Sequence, residues 1–305
     1  MHRWRRSRVA AAWVVTAAGA PLAVAHPLEV GAAGAAPTLT WSFEPWVVAC
    51  LLVSAALYAL GLARVWRRAG PGRGVHGRRA LAFVAAWLAT VVALVSPLDG
   101  LGVQLFSAHM LQHELLMVVA APLFVLGRPL GAFAWALPPP WRRALGRFFH
   151  RRGWRVPWLV ITAPLAAWLV HAIALWLWHV PAWFEAALAH EGIHAAQHAS
   201  FLVGALLYWW SVIGHAPERH RGAALASLFT TMIHTGALGA LLTLSPVPWY
   251  PTYGGRTLAF GLDPLEDQQL GGLVMWIPAG AAYVACGLAT AARWLQGPER
   301  IQHAV

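Results

Sequence analysis

The chain has 305 residues, of which 59% are hydrophobic and only 11% are charged, and this composition excludes an ordinary soluble domain. Its mean hydropathy of +0.57 favours a protein that crosses a membrane several times. The net charge of +11 comes from 22 basic residues, all of them arginine. These arginines follow membrane topology rather than a binding stripe, which argues against a nucleic-acid partner. Cys50 and Cys286 lie far apart in apolar runs, so we expect buried structural thiols rather than a disulfide framework.

The N-terminal segment is predicted to be a signal peptide or an uncleaved anchor. Residues 1–8 are rich in arginine, residues 9–22 are apolar, and Ala23-Val24-Ala25 completes the layout of a secretory signal. Residues 26–44 are rich in Ala, Gly and Pro and are expected to form an extracytoplasmic lead-in. A membrane domain over residues 45–293 and a short cytoplasmic tail over 294–305 complete the predicted organisation.

The membrane domain is predicted to be an all-α, polytopic bundle of seven transmembrane helices. A bilayer core requires about 20 apolar residues for each span, and seven stretches approach or exceed that length. They lie near residues 45–66, 80–96, 106–126, 157–178, 194–213, 223–245 and 268–292.

The arginines predict the orientation of this bundle. They are concentrated between spans one and two, three and four, and five and six, and after span seven, whereas beyond the signal only Arg256 lies on the other side. Because basic residues stay in the cytoplasm, the N-terminus is expected outside and the C-terminus inside. The spans and their orientation together predict a multi-pass topology.

Two copies of the pattern His-x-x-Gln-His are the main candidate site. His109 and His113 form one pair and His194 and His198 form the other. Residues four apart project from one face of a helix, so each helix can offer two metal ligands at once. Spans three and five both run inward from the outer face, and the two pairs are therefore predicted to meet at the outer membrane edge.

Further polar residues are predicted at or near the same depth. At a rise of about 1.5 Å per residue, His171 lies about 12 Å inside the outer end of span four, and His234 about 16 Å inside that of span six. We expect His171, His234 and Met275 to be deeper positions along a metal-transfer route, with Glu114 and Asp267 orienting imidazoles. Imidazole together with thioether sulfur suits copper, particularly Cu(I).

The outer loops offer elements that could cover this site. Residues 179–188 are predicted to form a short amphipathic helix with Pro181 in its first turn, and the proline-rich loop 246–253 could cap the histidines. No P-loop, G-x-S-x-G or dinucleotide-binding pattern is present in the sequence, so we predict that the protein is not an enzyme.

Several of these motifs resemble a known family. Residues 107–113, continuing through 121–129, are similar to the central motif of the CtaG family of cytochrome c oxidase assembly factors, the multi-spanning type associated with caa3-type oxidases. Residues 176–181, 194–198 and 265–276 resemble the other blocks of that family in the same order, and the resemblance extends over residues 41–294. It implies a multi-pass protein of the bacterial plasma (inner) membrane that is needed to make active haem-copper oxidase.

The resemblance also implies the partners. Cytochrome c oxidase subunits and the lipid bilayer are expected, together with a periplasmic copper chaperone, and the expected cargo is copper for the binuclear centre. Two alternatives stay open. The imidazoles could bind b-type haem in an electron-transfer protein, or the route could continue across the bilayer in a copper transporter.

Overall fold

A computed structural model describes residues 39–214 and 221–296, and every regular element in these ranges is a helix. The predicted signal segment, most of the lead-in and most of the tail lie outside the described residues. The thirteen α-helices described are α1 Pro45–Ala69, α2 Gly77–Leu94, α3 Pro97–Gly102, α4 Phe106–Glu114, α5 Ala121–Gly127, α6 Leu130–Ala136, α7 Pro139–His150, α8 Arg152–Ile161, α9 Pro164–His179, α10 Pro181–Ala189, α11 Glu191–Trp209, α12 Arg221–Leu244 and α13 Pro264–Leu295.

Five helical segments of the described chain are long and apolar enough to cross a membrane, and the prediction of seven spans is not confirmed. They are Pro45–Ala69, Gly77–Leu94, Phe106–Gly127, Arg221–Leu244 and Pro264–Leu295. The predicted fourth span corresponds to α8 and α9, which meet at an angle of 66° and together could form a sixth, broken crossing. Pro164 begins α9 directly after this break, and a proline there cannot continue the hydrogen bonding of the preceding helix.

The predicted fifth span is a helix, but it is not among the five. Helix α11 carries His194, Gln197 and His198 in its first turns, and these side chains lower its hydropathy. It continues into a π-helical turn, Trp210–Gly214. The same helix contributes several fully buried residues to the main apolar core, among them Phe201 and Tyr208. Its histidines are therefore held by packing against protein.

The third predicted span is a single, locally widened helix. A π-helical turn, Leu115–Ala120, joins α4 to α5. Pro122 follows this turn, and a proline lacks the backbone donor that a regular helix would use there. The indole of Trp209 donates a 2.8 Å hydrogen bond to the carbonyl of Met117 inside the turn. This bond ties the span to α11, the helix that carries the second histidine pair.

Helices α12 and α13 approach each other closely because small residues line their contact. A Cβ atom built on Gly272 would lie 2.7 Å from the carbonyl oxygen of Gly239. Only a residue without a side chain permits this approach. Helix α1 lies further from the core, and Cys50 on it is exposed rather than buried as predicted. An apolar bilayer, rather than protein, suits that surface.

Arginines and histidines gather at opposite ends of the bundle. At one end, Arg128 donates to the carbonyl of Gly214, and Arg221 donates to the carbonyl of Arg293. The first turns of α4 and α11, which carry the paired histidines, lie at the other end. This separation agrees with the arrangement that the positive-inside rule requires, although the sidedness of the bundle stays a prediction.

Candidate metal centre

The two His-x-x-Gln-His motifs face one another across the contact between α4 and α11. The ring centroids of His109 and His194 are 5.2 Å apart, and those of His113 and His198 are 5.3 Å apart. A diagonal contact of 5.7 Å joins His109 to His198. The structure therefore brings together all four histidines that the sequence motifs single out.

Three of these imidazoles have the geometry of a metal site. One ring nitrogen each from His109, His194 and His198 lies within 4.8 Å of the other two. Two nitrogens on one ion lie no more than about 4 Å apart, because each metal–imidazole bond is about 2 Å long. Small rotations of the rings would bring the three nitrogens within that reach. We call these residues the histidine triad.

The hydrogen bonding of the triad fits a metal. Neither ring nitrogen of His109 makes a hydrogen bond of normal geometry, although Gly102 and Gln197 bring polar groups towards it. The Nε2 atoms of His194 and His198 are also buried without a partner. Buried polar atoms normally have a partner in native proteins. Several unpaired nitrogens at one point therefore indicate a site for a cation with imidazole ligands.

His113 lies one turn deeper than the triad. Its ring is 4.4 Å from that of His109 and 4.5 Å from that of Phe201, and both of its nitrogens are buried and unpartnered. It packs at the inner edge of the triad and is a further candidate ligand.

The two motif glutamines have different surroundings. The amide of Gln112 donates to the carbonyl of Ala93 at 2.8 Å and to Asp99 at 2.9 Å. Its other end fills the space beside Gly102, where a Cβ atom would lie 2.1 Å from the Gln112 oxygen. Gln197 is fully buried, and neither polar atom of its side chain has a partner. Gln112 thus anchors α4, whereas the amide of Gln197 lies near His109 without a hydrogen bond of normal geometry.

Acidic residues that sequence reasoning did not select lie beside the triad. Asp99 and Glu191 interact electrostatically with His194, the only partly exposed member of the triad. Glu44 shares a hydrogen bond with Glu191, and this bond, together with burial and the neighbouring charges, raises the pKa of Glu44 to about 7. Glu191 lies one helical turn before His194, so its spacing in the sequence could have placed it beside the triad. Glu44 and Asp99 come from distant segments, and no sequence pattern places them there.

A further histidine, His179 at the end of α9, also reaches this region. It is buried, its ring lies 6.1 Å from that of His113, and its Nε2 atom lies 3.5 Å from the sulfur of Met110. The sequence motifs did not predict His179 as a site residue, and it was expected only at the start of the amphipathic helix over residues 179–188. Its position beside the motifs depends on how α9 packs, which periodicity does not reveal.

The two deeper histidines meet each other at a second point in the bundle. The rings of His171 and His234 are 6.5 Å apart, and Tyr208 stacks on His171 at 5.0 Å. The Nε2 atom of His171 and both nitrogens of His234 have no partner. Gly204, which contacts His171, lies about 9 Å further along α11 than His198. The deeper pair is thus separate from the triad.

The remaining predicted residues are spread around the centre. Met275 is buried in the main apolar core. Glu114 is buried with one carboxyl oxygen unpartnered. Asp267 accepts hydrogen bonds from the backbone of Phe106 and Ser107 and from the Ser107 hydroxyl. It therefore caps the helix that carries the first histidine pair. Within the described ranges, Asp267 forms no hydrogen bond with an imidazole.

An aromatic cover closes the centre on one side. Phe184 of α10 lies 5.0 Å from His109, and Tyr250 of the proline-rich loop lies 4.2 Å from Phe184, measured between ring centroids. The hydroxyl of Tyr250 donates to the carbonyl of His179, and Glu185 accepts two hydrogen bonds from Thr252. The helix predicted near residues 179–188 is present as α10, and the loop packs over it.

Related sequences occur in mycobacteria. An uncharacterized protein of Mycobacterium leprae is 27% identical over 277 residues, and uncharacterized proteins of Mycobacterium bovis and Mycobacterium tuberculosis are each 25% identical over 272 residues. Each match covers 86% of this chain, which spans only 40% of the length of these relatives. No solved structure matches the chain.

A family model gives the assignment. The match runs over residues 56–297, and it includes the histidine triad, His113, His179 and the deeper pair. The resemblance seen in the motifs is thereby confirmed, and the chain belongs to the family described as cytochrome c oxidase caa3 assembly factor (Caa3_CtaG).

Proposed function

We propose that this membrane protein binds copper at the histidine triad and delivers it to a haem-copper cytochrome c oxidase during assembly. The observation that carries the proposal is the convergence of His109, His194 and His198, whose donor nitrogens lie within 4.8 Å of one another. A family of oxidase assembly factors supplies the context, because the oxidase it serves contains copper. The protein acts as a metallochaperone and not as an enzyme.

Copper suits the chemistry of the centre better than a hard cation. Imidazole nitrogens bind copper and zinc, whereas calcium and magnesium prefer oxygen ligands. The sulfur of Met110 lies 3.5 Å from the Nε2 atom of His179, next to the centre, and thioether ligands select Cu(I). Copper in this protein is cargo, so a site that binds it reversibly is required.

The acidic residues next to the triad support a role in receiving a cation. Asp99 and Glu191 place negative charge beside His194, the most exposed of the three ligands, and Glu44 lies next to Glu191. Negative charge at the mouth of a site raises the local concentration of cations. We assign the first contact with copper to this acidic group, followed by transfer to the more deeply buried His109 and His198.

The direction of delivery follows from the predicted orientation. With the histidine end outside, the centre lies at the outer face of the bacterial inner membrane, where a periplasmic copper chaperone can reach it. His171, His234 and Met275 are deeper positions from which copper passes to an oxidase subunit within the bilayer. Glu114 and Asp267 lie around this route, and Asp267 acts by positioning α4.

Metal analysis of the detergent-purified protein tests this function. Protein from copper-supplemented cells is expected to retain copper, and the single variants His109→Ala and His198→Ala are expected to lose the ion held by the triad, since each removes one of its ligands. The matched control is His150→Ala, which removes an exposed histidine of α7 at the arginine end. This control is expected to keep the copper content of the wild type.

Oxidase activity completes the test. Cells with the His109→Ala variant are expected to assemble an oxidase that is deficient in copper, while its haem content is retained. Full copper content in both triad variants would contradict the proposed site. A sharp, redox-dependent haem band in the visible spectrum of the purified protein would instead favour the haem-binding alternative.

A further inference from the structure

His179 is held in a position that its own hydrogen bonding does not explain. The ring is buried, and its Nδ1 atom lies 2.7 Å from the carbonyl oxygen of Leu175, one turn earlier on α9. Its Nε2 atom lies 3.5 Å from the sulfur of Met110 on α4. The two ring nitrogens thus face a carbonyl oxygen on one side and a thioether on the other.

Neither neutral form of this imidazole satisfies both contacts well. A carbonyl oxygen can only accept, so a proton belongs on Nδ1, and the lone pair of Nε2 then points at the lone pairs of the sulfur. The opposite tautomer places the Nδ1 lone pair against the oxygen at 2.7 Å. A doubly protonated ring would be a buried charge, which is costly without an anion. Among the described residues, His179 forms no ion pair with a carboxylate.

A metal ion between Nε2 and sulfur removes this conflict. With a metal–nitrogen bond of about 2.0 Å and a metal–sulfur bond of about 2.3 Å, a separation of 3.5 Å corresponds to an N–metal–S angle of about 110°. This angle suits a three- or four-coordinate ion. The Nδ1 hydrogen bond to Leu175 is also the kind of contact that commonly fixes the tautomer of a ligating histidine.

His113 can complete the ligand set. Its ring is 6.1 Å from that of His179, and both of its nitrogens are buried without a partner. It belongs to the same helix as Met110 but does not take part in the histidine triad. Two imidazoles and a thioether together form a softer site than three imidazoles, and soft ligands select Cu(I).

We propose that Met110, His113 and His179 form a second copper site, specific for Cu(I), next to the histidine triad. The proposal rests on the proposed function and adds a position through which copper moves inward. His109 and His113 have ring centroids only 4.4 Å apart on consecutive turns of α4. An ion leaving the triad therefore reaches the second site by a short step between neighbouring imidazoles. The buried Tyr250 donates a hydrogen bond to the carbonyl of His179 and so helps to fix the end of α9.

X-ray absorption at the copper edge tests the second site directly. The purified protein is loaded anaerobically with Cu(I), and a sulfur scatterer at about 2.3 Å is expected in addition to nitrogen. Met110→Leu removes the sulfur at nearly constant volume, so the sulfur signal is expected to disappear and bound copper to fall from two ions per chain to one. The matched control is Met117→Leu, another buried methionine of the same span, which is expected to keep both.

The outcomes separate this proposal from the proposed function. Copper bound through nitrogen alone in the wild type, or an unchanged sulfur signal in Met110→Leu, would overturn the second site while leaving the triad intact. A wild-type protein that binds no Cu(I) would overturn both. His109→Ala is expected to lose the triad copper and to keep the sulfur signal, and this result also shows that the variant is folded.

Discussion

At the scale of single residues, the histidines of the two motifs differ in their access to the surroundings. His194 is partly exposed and lies beside acidic groups, whereas His109, His113 and His198 are buried. This difference in burial within one cluster defines a direction for the proposed transfer of copper, from the exposed to the buried histidines. Copper would be captured where water and carboxylates are present, and it would then be held where only imidazole and sulfur are available.

The acidic group predicts how stability depends on pH. The hydrogen bond that protonated Glu44 donates to Glu191, together with burial and the charges of Glu191 and Asp99, raises the pKa of Glu44 from 4.5 to about 7. The folded protein therefore binds a proton that the unfolded chain has released. This contribution to stability is fully present below pH 4.5, decreases above it, and is lost as the pH rises through about 7.

Glu44→Gln tests this dependence, because an amide imitates the protonated acid. We expect the unfolding temperatures of the detergent-purified wild type and variant to agree near pH 4.5, and the wild type to fall below the variant by pH 8. A difference between the two proteins that stays constant from pH 4.5 to 8 would show that Glu44 is not protonated in the folded state.

The sequence predicted these residues only in part. Both His-x-x-Gln-His pairs could be found because helical spacing alone places two imidazoles on one face. The two pairs were then predicted to meet because both lie at the outer end of a span. Asp99 and His179 could not be assigned to the site in this way. Asp99 reaches it through a hydrogen bond to Gln112, and His179 through a contact with Met110, and both contacts depend on tertiary packing.

At the scale of elements, α13 holds the helix that presents the first histidine pair. The carboxylate of Asp267 accepts from the backbone of Phe106 at 2.6 Å and of Ser107 at 3.2 Å. The first turn of any helix has free donors, and here the acceptor comes from another helix instead of a local cap. The orientation of His109 therefore depends on a residue far away in sequence.

Asp267→Asn tests this connection. The amide can accept with only one of its two polar atoms, so one backbone donor loses its acceptor at a cost of about 1–3 kcal/mol. We expect a lower unfolding temperature and weaker copper binding. The matched control is Asp263→Asn, at the exposed N-cap of the same helix, where Asn caps about as well as Asp. Equal effects of the two substitutions would contradict a specific role for Asp267.

The predicted elements agree with the structure where the length of an apolar run determines the helix. They differ where the packing of helices against one another determines it. Helices α1, α2, α12 and α13 lie close to predicted spans, because a long apolar run leaves few alternatives. The fourth predicted span breaks at an angle of 66° between α8 and α9. Periodicity and hydropathy contain no information on such a bend. The break matters for the site, since α9 carries both His171 and His179.

At the scale of the whole molecule, the two ends of the bundle carry different ionisable side chains. Arginine contacts close one end, and imidazoles with carboxylates occupy the other. Composition predicted this division because the positive-inside rule acts on whole loops and needs no knowledge of packing. The division also fixes what the proposed function requires, since copper from outside can reach the triad only if the histidine end faces the periplasm.

Cysteine labelling in intact cells tests that orientation. Leu258 is exposed in the loop at the histidine end, and His150 is exposed on α7 at the arginine end. After Cys50 and Cys286 have been replaced by alanine, a membrane-impermeant maleimide is expected to label Leu258→Cys but not His150→Cys. Permeabilised cells are expected to label both. The reverse pattern would place the triad in the cytoplasm, and copper would then have to reach the acidic group from inside the cell, so delivery from a periplasmic chaperone would be impossible.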